Sequence, residues 1–145
     1  AEVAVGRLPV RTVAEATEAV RKIIAYETQG ATNRIALVSG GEDTALGLDF
    51  RAAVGDFAAT LSPAWTQSRI DADVLGAAAA RQSLLDALAN GASLISYTGH
   101  SGPQQWGFEP LLTADQVAAF PPNPNQPFLL QFGCWTTYFL SPEAL

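Results

Sequence analysis

The chain contains no methionine, one cysteine, Cys134, and one histidine, His100, in 145 residues. A lone cysteine excludes an intrachain disulfide. With a lone histidine it also falls short of the three or four ligands of a zinc site unless carboxylates complete the set, so no metal is expected. Basic residues are sparse and scattered: Arg7, Arg11, Arg21, Lys22, Arg34, Arg51, Arg69 and Arg81 stand against fourteen Asp and Glu, for a formal net charge of -6. Phosphate backbones need a concentrated positive face, so nucleic acid is not an expected partner. No apolar run approaches the ~18 residues of a membrane span, and no basic segment leads into a signal-like apolar one. A phosphate loop of the form GxxxxGK followed by Ser or Thr is missing, and Ser39-Gly40-Gly41 is too weak a match to a glycine-rich anion site. Without methionine and opening at Ala1, the chain is expected to be excised from a longer product, as a single domain over 1–145 or the core part of one.

What is present is a packed composition, 48% apolar and 15% charged, of a length that buries roughly 70% of its unfolded surface. Thr12 with Glu15 fits a capping box, Val13, Ala16, Val20, Ile23, Ile24 and Glu27 trace one helical face, and Gly30 stops the helix. RIALVSGGED reads as a parallel strand buried on both faces and ending in a glycine loop. Residues 48–61 form a second helix with Phe50, Val54, Phe57 and Leu61 on one side. AWTQSRI is a short strand, and Asp73 to Asn90 one alanine-rich helix closed by Gly91. ASLISYTGH is a strand that runs into the histidine. A polar loop, SGPQQWGFEP, leads to a short helix that Thr113 and Gln116 cap, PPNPNQP is a stiff connection, and FLLQFGC is a buried strand that runs into the cysteine.

Strands alternating with helices predict an α/β fold with an open, mostly parallel sheet and helices on both faces. If its strand order is 2-1-3-4, the last two strands are neighbours ~4.8 Å apart. His100 and Cys134 then stand just beyond adjacent carboxyl ends, the edge where ligands bind in such sheets. A thiolate attacks carbonyls, an imidazole moves protons and backbone amides hold an oxyanion, so the pair suits nucleophilic catalysis. A free cysteine is equally a small buried hydrophobe, and a histidine beside glycines equally a satisfied turn.

At Tyr97-Thr98-Gly99-His100, with Trp106-Gly107 shortly after, the sequence resembles the gingipain-type cysteine peptidases, a family with a caspase-like fold. Cys134 stands in the place of that family's cysteine, and Ser141-Pro142-Glu143-Ala144 resembles the family's segment just beyond the nucleophile. Gly6-Arg7, Tyr26-Glu27 and Asn90-Gly91 extend the likeness along nearly the whole chain. The resemblance implies a cysteine endopeptidase core that hydrolyses peptides or proteins without a cofactor. Cys134 would be the nucleophile of an acyl-enzyme and His100 the proton carrier. The backbone N–H groups of Cys134 and Ser101 would form the oxyanion hole, Ser101 replacing the glycine of better-known members. It also implies further domains of a parent chain and a secreted or cell-surface location. Family members that cut after basic residues place an acid after the first strand to bind the substrate, and some place a glutamate there to orient the histidine. Glu42, Asp43 and Asp49 are open candidates here, Asp49 equally as a helix cap. Trp106 is either a wall of the substrate pocket or a pin for its loop, and Trp135 is expected to pack. The alternative is an inactive caspase-like fragment that serves as a binding or assembly module.

Overall fold

A computed structural model describes residues 3, 6–30, 32–120 and 126–136. The chain divides into two compact units, Ala1–Gly30 and Ala31–Leu145.

The first unit is built on helix α1 (Val13–Gln29), which starts where Thr12 accepts the Glu15 amide at 3.1 Å and ends at Gly30, φ 76°. The anticipated capping box is half made. The Glu15 carboxylate reaches past Thr12 to the backbone N–H and guanidinium of Arg11, which lowers its pKa through that charged partner.

In the second unit, β1 (Arg34–Ser39), β2 (Thr66–Asp71), β3 (Leu94–Thr98) and β7 (Phe128–Phe132) form a parallel sheet in the order β2-β1-β3-β7. This is the anticipated 2-1-3-4 order. The register places Ser39 opposite Asp71 and Thr98, and Thr98 opposite Phe132, so all four strands finish level at one edge. Side chains alternate across β1, as strand geometry requires. Ala36 and Val38 pack with Ile70, Ile95 and Tyr97 against Ala80 and Leu84 of helix α4 (Ala77–Ala89). Ile35 and Leu37 pack on the opposite face with Val54 and Phe57 of helix α2 (Phe50–Thr60). Helices therefore cover both faces, and β1, buried from Ile35 to Ser39, is the centre of the core.

Three anticipated elements differ. The single helix over 73–90 is broken into α3 (Ala72–Leu75) and α4 because Gly76 adopts φ 76°, ψ 151°, a backbone conformation that glycine alone enters cheaply. The polar loop after His100 carries a small antiparallel sheet, β4 (Ser101–Gly102), β5 (Gln105–Trp106) and β6 (Leu112–Thr113), before helix α5 (Ala114–Ala119), whose Thr113–Gln116 capping box is complete. Finally β7 is not buried: it is the outermost strand among the described residues, and Phe128, Leu129 and Phe132 are exposed. Most of the proline-rich connection, residues 121–125, and residues 137–145 with the Ser141 to Ala144 motif lie outside the described residues.

Candidate active site

Two glycines bring the sheet edge together. A Cβ on Gly40, just past β1, would stand 3.1 Å from the Tyr97 hydroxyl and 3.2 Å from the Gly99 Cα, and one on Gly99 would stand 2.9 Å from the Tyr97 ring. Backbone packs directly on backbone there, which only glycine permits. Pairing also continues past the strand ends, Gly40 donating to the Thr98 carbonyl at 2.9 Å and Gly99 to that of Phe132 at 3.2 Å.

His100 comes next, with its carbonyl accepting from the Gly107 amide at 2.7 Å and from the Tyr97 hydroxyl. Burial pushes the Tyr97 phenol well above its ordinary pKa, so it stays a protonated donor. The imidazole lies edge-on to Phe50 at 5.1 Å and stacked on Phe108 at 4.5 Å. Its Nε2 is 2.9 Å from Oδ2 of Asp43. The other Asp43 oxygen accepts the Leu46 amide at 3.0 Å, and Asp43 and Leu48 exchange two backbone hydrogen bonds that close the loop between them. The Leu46 amide, then the His100 imidazole, hold the Asp43 carboxyl below its ordinary value.

Cys134 is exposed, two residues beyond β7. Its carbonyl accepts from the Ser101 hydroxyl, so the two strand-end loops are tied across the edge. Gly133 lies so close to Ser101 and to the Gly99 carbonyl that any side chain would collide. Thr136, 5% exposed, donates to the Gly133 carbonyl at 3.1 Å. Among the described residues no hydrogen bond joins the imidazole to the thiol. Both are carried on neighbouring, paired strands.

Of the three acids open in the sequence, Asp43 meets the histidine. Asp49 caps α2 by accepting the Ala52 amide at 2.8 Å. Glu42 is exposed, and its backbone N–H is held by Asp73 at 3.0 Å. Trp106 is 1% exposed, stacked on Tyr97 at 4.5 Å with its indole N–H on Gln131 of β7. In that place it pins the loop. Trp135, expected to pack, is instead 54% exposed in the left-handed backbone region, φ 64°. Sequence reasoning gave Phe108 and Asp73 no part in the site, since neither carries a motif. With His100, Gly41, Glu42 and Glu109 they line a cleft of about 300 Å³ on the β2 side of the imidazole. Arg81 of α4 steadies its rim by donating to the Pro110 carbonyl at 2.8 Å.

The sequence profile of peptidase family C25 matches residues 1–144. Among solved structures, the Arg-specific cysteine proteinase gingipain R is similar at 17% identity, with a TM-score of 0.73 over 93% of this chain. The likeness extends to the caspase-like order of the parallel sheet. The chain spans 32% of the length of that proteinase. No curated protein matches.

Proposed function

Because the chain belongs to peptidase family C25, we propose that it is the core of a cysteine endopeptidase acting through Cys134 and His100. The observation that carries this reading is the pairing of His100 with Asp43 beside an exposed cysteine on the adjacent strand end. With Nε2 held by the carboxylate, Nδ1 is the ring nitrogen left to exchange protons with the reaction.

The Cys134 thiol gives its proton to the imidazole, and the resulting thiolate attacks the carbonyl carbon of the scissile bond. The carbonyl π electrons move to oxygen, and the oxyanion rests on the backbone N–H groups of Cys134 and Ser101. As the tetrahedral species collapses, the C–N bond breaks and the imidazolium gives its proton to the leaving amine. A water molecule, deprotonated by the imidazole, then attacks the acyl-enzyme and releases the acid and the thiol. The substrate is a peptide or protein. The cleft beside His100 carries Glu42, Asp73 and Glu109, a lining that favours a positively charged side chain. No helix among the described residues is long and apolar enough to cross a membrane. On the family likeness, and not on that absence, we assign the protein to the secreted or cell-surface space with further domains of a parent chain.

A second reading, an inactive caspase-like module for binding or assembly, is favoured by the lack, among the described residues, of a hydrogen bond between the imidazole and the thiol, the ring being held by Asp43 instead. The deciding experiment is the pH dependence of Cys134 alkylation by iodoacetamide in the folded protein, with His100→Ala beside it. A fast reaction with a low apparent pKa that rises in the variant supports the peptidase. A reaction indifferent to His100 sinks it.

A further inference from the structure

A trans peptide unit is planar, and its C=O and N–H point in opposite directions. Whatever fixes a carbonyl therefore aims the amide of the next residue. The two amides assigned to the oxyanion hole belong to the His100–Ser101 and Gly133–Cys134 units, and in both the carbonyl is held by a side-chain hydroxyl. Tyr97 donates to the His100 carbonyl, which also accepts the Gly107 amide. Thr136 donates to the Gly133 carbonyl at 3.1 Å. A third hydroxyl, on Ser101, holds the Cys134 carbonyl and so joins one unit's loop to the other's.

The three hydroxyls are themselves well placed to hold still. Tyr97 is fully buried in the central sheet with its ring flat on Trp106. Thr136 is 5% exposed. Ser101 faces Gly133, the one residue type that leaves room for its side chain. The geometry points to Tyr97 and Thr136 as positioning residues that aim the Ser101 and Cys134 amides at the substrate oxyanion, with Ser101 as the strap that keeps the two amides in a fixed mutual orientation. The inference rests on the peptidase reading and deepens it. Such donors stabilise a transition state only when their direction is set before the charge appears, because reorientation during the reaction costs part of the gain.

The assignment separates two kinds of reactivity. Alkylation by iodoacetamide needs the thiolate but no oxyanion. Binding of a peptide aldehyde needs both, since the sulfur bonds to the carbonyl carbon while the former carbonyl oxygen becomes a hemithioacetal oxygen in the oxyanion position. The full chain would be compared with Tyr97→Phe, Thr136→Val and Ser101→Ala, each close in shape to the residue it replaces, with thermal unfolding as a check of folding.

The expected result is an alkylation rate unchanged in each variant, with aldehyde affinity and kcat lowered about 10- to 100-fold and KM unmoved. Thr136→Ser, which keeps the hydroxyl, restores most of the loss. A parallel fall in alkylation and aldehyde binding overturns the inference by showing a general effect on the thiol, as does full activity in all three variants. If the parent chain itself binds no aldehyde and cleaves no peptide, the peptidase reading fails and takes this inference with it. An active parent with insensitive variants removes the inference alone.

Discussion

Oδ2 of Asp43 lies 2.9 Å from Nε2 of His100, across 57 positions of sequence, and among the described residues no other carboxylate is bonded to that imidazole. A carboxylate so placed fixes both the tautomer and the ring orientation of a histidine. Asp43→Asn is expected to lower kcat about 10- to 100-fold, the range typical of positioned acid–base chemistry, while KM stays near its original value. Asp43→Glu recovers part of it. The comparison residue is Asp49: its replacement by alanine removes a helix cap at a cost of about 1 kcal/mol and leaves the pH–rate profile in place. Steady-state kinetics against pH, with denaturant unfolding, separate the two.

The same carboxylate gives a pH signature in stability. Its folded pKa lies below the unfolded one, depressed first by the Leu46 amide and then by His100. A depressed carboxylate contributes its stabilisation fully above its unfolded pKa, about 3.9, and loses it as pH falls through the lower folded value. The thermal midpoints of the parent and Asp43→Asn should therefore differ most near neutral pH and converge under acid. A gap that widens on acidification contradicts the assignment.

Gly99→Ala places a methyl group 2.9 Å from the Tyr97 ring and 3.0 Å from the Gly40 Cα. Neither a strand-locked ring nor a backbone atom can give way cheaply. Overpacking of this kind costs roughly 1–3 kcal/mol, and here the displaced atoms belong to the loop that carries His100. Urea unfolding should show the loss, and alkylation of Cys134 should become less sensitive to His100→Ala because the imidazole has moved.

Trp106 distinguishes a pin from a pocket wall by which measurement responds. It is buried, stacked on β3 and hydrogen-bonded to β7, so Trp106→Ala should cost roughly 3–5 kcal/mol of stability. A residue that lined the substrate site would raise KM with the unfolding midpoint unchanged, and that outcome would restore the alternative role.

The positions of His100 and Cys134 at neighbouring strand ends were legible in the sequence because strands that end in glycine loops, alternating with helices, leave few topologies, and right-handed crossovers leave fewer. Other features were not. Alanine propensity runs straight through Gly76, and only the backbone angle adopted there breaks the helix. Strands of two residues, such as β4 to β6, are too short to show a period. FLLQF carries apolar residues on both faces, and periodicity alone does not tell a central strand from an outer one. Glu42, Asp43 and Asp49 are indistinguishable by type and spacing, and the choice among them is made by a tertiary contact. The tie between Ser101 and the Cys134 carbonyl likewise joins residues that local pattern does not relate.

The strand that leads to Cys134 is also, among the described residues, the margin of the sheet. Among the described residues β7 is paired on one side only, and its open side carries unused ladder positions beside the exposed Phe128, Leu129 and Phe132. Such a margin is a template on which another strand can crystallise, whether from the same chain, a second copy or a stray unfolded molecule. Solubility and the proposed chemistry are thus joined in one short segment. Charges introduced on β7 to prevent clumping would sit close to Gly133 along the chain, and any strand that zips onto it would stiffen the segment from which Cys134 projects.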